Sequence, residues 1–299
     1  MAVLSKSTLF PAALAREMFS KIVGHSSLAK LSAAEPIPFN GKDIFTFNFS
    51  SDVSIVGENG AKPAGDAAVT AVQIRPVKVV YQSRVSDEFM YASEEARIPY
   101  LQAFADGFTK RLAAGFDKMA MHGINPATGS ASDIIGNNHL DYVIPSGNRI
   151  VLGHDSSAID ANIEEAIGKV EAAEYAVNGV IMAPEARTAM AGLTQNSGER
   201  KYPDFAFGAA PQKIGAGTLD VNPTVSANSG KARVYVGDFQ NAFRWGYAKE
   251  IPLEVIEYGN PDGGTYDLKQ ANQVLLRSEA FIGWGFLDGN RFAKVYVSP

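Results

Sequence analysis

The chain has 299 residues, 46% apolar and 20% charged, with a net charge of −5 and no cysteine. That composition suits a folded globular chain of one large domain or two intimate ones. It excludes a disulfide framework, a thiol nucleophile and cysteine-held zinc or iron–sulfur centres, and its acidic balance argues against a nucleic-acid binder working through a basic face.

Residues 1–35 read as an arm. Its opening, MAVLSKSTLFPAALAREMF, is too broken by Pro11, Arg16 and Glu17 for a signal peptide and predicts a short amphipathic helix, with Leu14, Met18 and Ile22 on one face. Lys6, Arg16, Lys21 and Lys30 against Glu17 give a mild positive bias, as expected of a solvated arm. Asn40-Gly41 is a two-residue hairpin signal. Phe45, Phe47 and Phe49 then alternate with Thr46 and Asn48, which predicts a strand buried on one face.

Polar, glycine-containing sequence runs from Ser50 to about Ala68 and includes VGENGAKPAGD, Val56 to Asp66. A second strand follows in TAVQIRPVKVVYQSRVS, where Pro76 cannot donate to a ladder and so places the strand at an edge. Residues 44–82 thus form a long two-stranded excursion whose tip offers nothing to a core. A lone hairpin is marginal in water, so this ribbon is either a flexible loop or lies on a neighbour.

The clearest helix comes next, over EEARIPYLQAFADGFTKRLAAGFDKMAMHG. Leu101, Phe104, Ala105, Phe108, Leu112, Phe116 and Met119 recur at three- and four-residue spacings. Ser93 is a suitable N-cap, Glu94 and Glu95 favour the first turn, and Gly123 ends the helix. Pro99 predicts a regular start near Ile98. The helix would span ~40 Å at 1.5 Å per residue. Beyond it, GINPATGSASDIIGNN is loop. IDANIEEAIGKVEAA is helical, with Ile159, Ile163, Ile167 and Val170 on one face, NGVIMAP is a short buried strand, and Pro184 opens another helix. QNSGERKYPDFAFGAAP reads as an exposed loop. ARVYVGDFQNAFRWGYA, IPLEVIEYG and NQVLLRSEAFIGWGFLDGNRFAKVYV read as strands, the last ending in a hairpin over Asp288-Gly289. The chain after residue 245 must pack back on the long helix and the first strands.

No chemistry stands out. GENGAKPAG fails as a phosphate loop, because Lys62 precedes Pro63 and a strand follows; GAGTLD lacks the dinucleotide pattern. His25, His122, His139 and His154 show no metal-ligand spacing, and there is no G-x-S-x-G elbow. Glu94-Glu95 and Glu164-Glu165 read as helix-end electrostatics and solvation, and GDF at 237–239 as a tight turn with Phe239 in the core. No catalytic, cofactor-binding or metal residue is assigned.

The order of these pieces resembles the major capsid proteins of tailed bacteriophages, the Hong Kong 97-type fold. VGENGAKPAGDAAVTAVQIRPVKVVYQSRVSDEF is similar to that family's loop tip, return strand and entry to its spine helix. YLQAFADGFTKRLAAGFDKMAMHGINPATG is similar to the spine helix itself, VYVGDFQNAFRWGYAKEIPLEVIE to the strand crossing back from it, and LLRSEAFIGWGFLDGNRFAKV to the final strand and return. The resemblance covers about residues 35–299.

It implies an α+β fold with an N-terminal arm (1–35), an extended β-hairpin loop (50–83), a peripheral domain (36–49, 84–125 and 246–285) holding the spine helix, an axial α/β domain (126–245) and a C-terminal return (286–299). It implies a non-enzymatic shell protein that assembles with itself into pentamers and hexamers of an icosahedral phage head. The hairpin would cross a neighbouring subunit and the arm reach another. Portal, scaffolding or decoration proteins would be partners, and packaged double-stranded DNA would be touched only weakly by a mildly anionic wall. No cofactor and no membrane are implied; the location is the virion, assembled in host cytoplasm. Glu58, Lys62, Asp66, Glu94 and Glu95 are the expected inter-subunit contacts, although exposed ion pairs contribute only ~0–1 kcal/mol each.

Family members often begin with a scaffolding segment; here the arm comes almost first, so scaffolding is expected to be separate, absent or already removed. Some relatives weld subunits through a loop lysine and a neighbour's asparagine. Lys62 with Asn260 or Asn272 would correspond, but nothing local activates them. Two alternatives are an encapsulin-type compartment, distinguished by protein cargo in place of DNA, and a soluble α/β enzyme, distinguished by never forming large particles.

Overall fold

Helix α2, Glu94–His122, is the longest element of the computed structural model, which describes residues 24–49, 52–65, 67–88, 94–153, 158–228 and 231–298. Leu101, Ala105, Phe108, Leu112, Phe116 and Met119 are buried along it, as their spacing requires. Phe104 sits at the margin of the stripe, half-buried, with its ring 5.9 Å from that of Tyr81. The helix begins ahead of Pro99 and not near Ile98. Proline there removes one hydrogen bond, and the buried stripe starting at Leu101 holds the remaining turns. Gly123 closes the helix at φ +68°, its N–H donating to the Met119 carbonyl.

Against α2 packs an antiparallel sheet of order β3 (Val77–Ser86), β10 (Gln273–Phe286), β9 (Phe243–Ile256). The strand expected to run through Pro76 is two strands, residues 67–74 and 77–86, in different sheets, so the excursion ends at residue 74 and not 82; Pro76 lies just before β3, an edge strand, where a missing donor costs no ladder bond. Aromatic rings fill the space between helix and sheet: Phe116 lies 5.2 Å from Trp245 and 5.8 Å from Trp284, and Phe243 stacks on Phe286 at 4.8 Å.

A second, six-stranded mixed sheet has the order β4 (Arg149–Leu152), β11 (Phe292–Val297), β8 (Ala232–Gly237), β5 (Gly179–Met182), β7 (Gly217–Val221), β6 (Lys213–Ile214). Helices α4 (Ile159–Glu171) and α5 (Pro184–Gly192) supply its other core, through Ile159, Ile163, Ala166, Val170, Ala186 and Met190. The short helix α3 (Leu140–Val143) lies between α2 and β4 in the chain. The two sheets are joined at α6 (Phe239–Ala242), where Asp238 accepts a hydrogen bond from the Asn241 N–H and Phe239 is fully buried. The GDF stretch is therefore a capped helical turn with its phenylalanine in the core.

Two expectations are corrected here. The chain over Asp288-Gly289 does not form a hairpin: β11 leaves β10 and inserts between β4 and β8 of the other sheet. Residues 286–299 are thus not a separate return but supply an inner strand of the sheet that residues 126–245 build. Phe292, Ala293 and Val295 are fully buried there, more than an edge hairpin would bury.

The second correction concerns residues 1–35. The described part is not a solvated arm. Helix α1 (Ser27–Leu31) buries Leu28, Ala29 and Leu31. The following residues run beside β9, with the Glu35 N–H donating to the Trp245 carbonyl at 2.8 Å and the Trp245 indole N–H to the Ser32 carbonyl at 3.0 Å. This approach requires Gly246, since a Cβ there would stand 1.7 Å from the Glu35 carbonyl oxygen. The predicted helix through Leu14, Met18 and Ile22 lies outside the described residues, as does the Ser93 cap.

Candidate assembly interface

Strands β1 (Lys42–Phe49) and β2 (Ala67–Ile74) form an antiparallel ribbon bonded to neither sheet. Its register pairs Ile44 with Val72 and Lys42 with Ile74 on one face, and Phe45 with Ala71 and Phe47 with Val69 on the other. The first face roots the ribbon. Ile74 is 1% exposed, and Gly283 and Gly285 of β10 make room for it: a Cβ at Gly285 would meet Ile74 at 2.8 Å and Val72 at 3.4 Å.

The second face points away from the subunit. Phe45 is 61% exposed, Phe47 64% and Val69 56%. The phenylalanine alternation predicts a buried face, and within one chain that face is the open one. Phe49 pairs with Ala67 in the same parity, but its side chain lies outside the described residues. Beyond the strands Val53 and Ile55 are fully exposed. An apolar row of this kind on a projecting ribbon is the signature of a surface that another molecule covers.

The expected contact residues divide. Glu58 and Lys62 lie exposed on the tip, where the Gly60 N–H closes a turn on the Gly57 carbonyl at 2.9 Å. Asp66 lies outside the described residues, and so do the side chains of Glu94 and Glu95, whose backbone forms the first turn of α2. The exposed face of α2 carries Tyr100, Ala103, Asp106, Gly107, Lys110 and Arg111.

The Asn260 side chain is held by Arg84 and by its own loop, residues 257–272, whereas Asn272 is exposed. The Arg84 guanidinium donates to the Asn260 side-chain oxygen at 2.7 Å and to both Asp262 oxygens, while the Asn260 amide donates to the Gly264 carbonyl. The fork-to-fork bond from Arg84 holds the Asp262 carboxyl down at about 2, against an opposing desolvation. Asn272 takes φ +50°, and its carbonyl accepts from the Asp87 N–H at 3.0 Å. The sequence shows no sign of this clamp, because Arg84 is separated from Asp262 by the whole of the intervening chain.

Buried polar groups gather at the end of α2 and are structural. The His122 ring is fully buried between the Asp141 carboxylate at 2.8 Å and the Thr224 carbonyl at 2.9 Å. Tyr235 and Lys294 each donate to Asp141 at 2.8 Å. Burial pushes the Asp141 carboxyl up, but the bond from His122 and the charges of His122 and Lys294 outweigh it and hold it well below the usual carboxylate range.

The outer ring nitrogen of His122 faces a carbonyl, not a hydroxyl nucleophile, so the Asp–His pair has nothing to activate. His139 packs against Gly123, where a Cβ would come within 2.4 Å of its ring, and burial lowers its pKa. His25 is exposed and His154 lies outside the described residues. Among the described residues no three His, Cys, Asp or Glu side chains could hold a metal ion. A hollow of about 210 Å³ lined by Leu152, Glu185, Ala186, Ala189, Arg233 and Val297 is smaller than ordinary small-molecule sites and holds no nucleophile–base pair. Among the described residues no helix is long and apolar enough to cross a membrane.

Residues 7–297 match the model of the phage capsid family. A solved structure from Mycobacterium phage Ogopogo is similar over 92% of each chain, at 30% identity and a TM-score of 0.79. One from Gordonia phage Cozz is similar over 92% of this chain and 87% of its own, at 24% identity and a TM-score of 0.75. The capsid of a native GTA particle shares the fold at 13% identity, with a TM-score of 0.65, over 91% of this chain and 90% of its own. No curated protein matches the chain in sequence.

Proposed function

From the premise that this chain belongs to the phage capsid family, we propose that its β1–β2 ribbon is the part of the subunit completed by a neighbouring copy. The protein itself is a structural major capsid protein, not an enzyme, and it works as an assembly of many copies in the virion.

The observation that carries the proposal is the split character of the ribbon. Ile74 anchors it to the body, while Phe45, Phe47 and Val69 face outward. Covering a phenylalanine contributes roughly 1.5–3 kcal/mol, so the row supplies several kcal/mol per contact. Glu58 and Lys62 at the rim add about 0–1 kcal/mol each and set register. The receiving surface is the open face of a neighbour's α2, where Ala103 and Gly107 leave room for rings between Tyr100 and Lys110. Repeated around a closed shell, contacts of modest strength give a stiff container through multivalency.

In this reading residues 257–272 and the three-stranded sheet lie at the periphery of the capsomer and the six-stranded sheet near its axis, in pentamers and hexamers. The shell encloses double-stranded DNA, is assembled in host cytoplasm, and has portal, scaffolding or decoration proteins as its partners.

Deleting Ser54 to Val69 and joining the ends tests the proposal, since the root residues Val72 and Ile74 are retained. The expected result, by circular dichroism and electron microscopy, is a folded subunit that makes no shells. A deletion variant that unfolds outright, or one that assembles normally, would overturn it.

A further inference from the structure

Asp117 stands apart from the other buried carboxylates among the described residues, Asp238 and Glu279, which are paired with Arg291 and Lys78. It lies on α2 at 0% exposure, and its surroundings on the helix are the apolar Ala113, Phe116, Ala120 and Met121. Five donors from two other segments converge on it. From the arm come the Ser26 hydroxyl at 2.6 Å and the backbone N–H groups of Ser27 at 3.0 Å and Leu28 at 3.3 Å. From the segment after β7 come the Asn222 amide at 3.2 Å and the Thr224 hydroxyl at 3.3 Å, whose single proton is shared with the nearer Asn222 side-chain oxygen at 2.9 Å. Among the described residues no cation is bonded to it. Asp141, by contrast, has Lys294 and His122.

A charge without a counter-charge is costly in a dry site, even when hydrogen-bonded. Among the described residues none of the nearby charged groups is bonded to it. Lys30 pairs with Asp220, which also accepts from the Ser27 hydroxyl. His122 meets the far side of Thr224, at its carbonyl. Lys118, next on the helix, is half-buried, and His25 of the arm is exposed. The site can satisfy a neutral acid as well, because the Ser26 and Thr224 hydroxyls either donate to a carboxylate or accept from a carboxylic acid.

We propose that Asp117 is a proton-linked latch for the arm: segment 26–37 docks on α2 most firmly when this carboxyl is protonated and loosens when it ionises. Burial pushes the Asp117 carboxyl up to about 6, the bonds from Ser26, Ser27, Leu28 and Thr224 partly opposing it. Undocking returns the group to water and to an ordinary carboxylate value. The docked pKa is the higher one, so the stabilisation is full in acid and is lost as pH rises through about 6. Docking then weakens by about tenfold from about pH 5 to about pH 8. The latch concerns contacts within one subunit and does not rest on the ribbon's role.

Hydrogen exchange of the amides of residues 27–31, corrected for intrinsic rates and referenced to β8, tests this in the unassembled full chain. The expected result is a protection factor about tenfold lower at the alkaline end of that window, and a flat profile in Asp117→Asn. Ser26→Ala, which removes a donor to the ionised form, should move the midpoint to higher pH. This second variant decides the matter if Asp117→Asn fails to fold. Protection independent of pH in the wild-type chain, a slope retained in Asp117→Asn and hence owned by His122 or His25, or a midpoint unmoved by Ser26→Ala would each overturn the latch.

Discussion

The arm segment 26–37 and the β1–β2 ribbon are both peripheral excursions in the sequence, yet the subunit treats them oppositely. The arm is absorbed. It buries Leu28, Leu31 and Ile37, ends its donors on Asp117, and lies on β9 through backbone bonds that a glycine makes room for. The ribbon satisfies its backbone within itself and keeps its most apolar face in water. Apolar content does not separate them, since the ribbon carries more aromatic surface than the arm. What separates them is whether the same subunit offers a complementary surface with partners for the backbone.

Matched substitutions in the two segments sharpen that contrast. Leu28→Ala removes a side chain with no exposure and should cost ~2–5 kcal/mol; chemical denaturation of the unassembled subunit would measure it. Gly246→Ala places a methyl group on the Glu35 carbonyl and should cost ~1–3 kcal/mol by pushing residues 34–37 off β9. Faster cleavage of the arm by a protease, with the sheet otherwise intact, is the readout. The smallest effect on the subunit belongs to the ribbon: Phe45→Ser with Phe47→Ser should change its stability by no more than about 0.5 kcal/mol. The same pair should raise the concentration needed for shell formation steeply, as light scattering would record. If the ribbon pair destabilised the subunit as much as Leu28→Ala does, the contrast between the segments would collapse.

Much of this organisation is legible in the residues. The stripe on α2, the core face of α4, the proline-opened α5, the edge position signalled by Pro76 and the turn at GDF are all short-range patterns, and each appears in the structure. The candidate interface is half legible. Alternation at Phe45 and Phe47 marks an apolar face, but an alternating strand has two faces, and nothing local says which one meets the strand's own subunit. The charged residues named for the interface are the more conspicuous candidates, and Glu58 and Lys62 among them lie exposed on the ribbon tip. Asp117 left one trace, a lone carboxylate in the apolar run LAAGFDKMAM, whereas its donors at 26–28 and 222–224 are scattered through the sequence.

The amino-acid order by itself determined the elements, the absence of a cysteine chemistry and the capsid-like succession of ribbon, long helix and strands, because period, capping and turn residues act over a few positions. Only the tertiary structure decided that β11 crosses into the six-stranded sheet, that segment 26–37 of the arm lies against the core, and that Phe45 and Phe47 of β1 face outward. Those outcomes depend on which distant surfaces fit, and fit is a property of three-dimensional packing that no local period encodes.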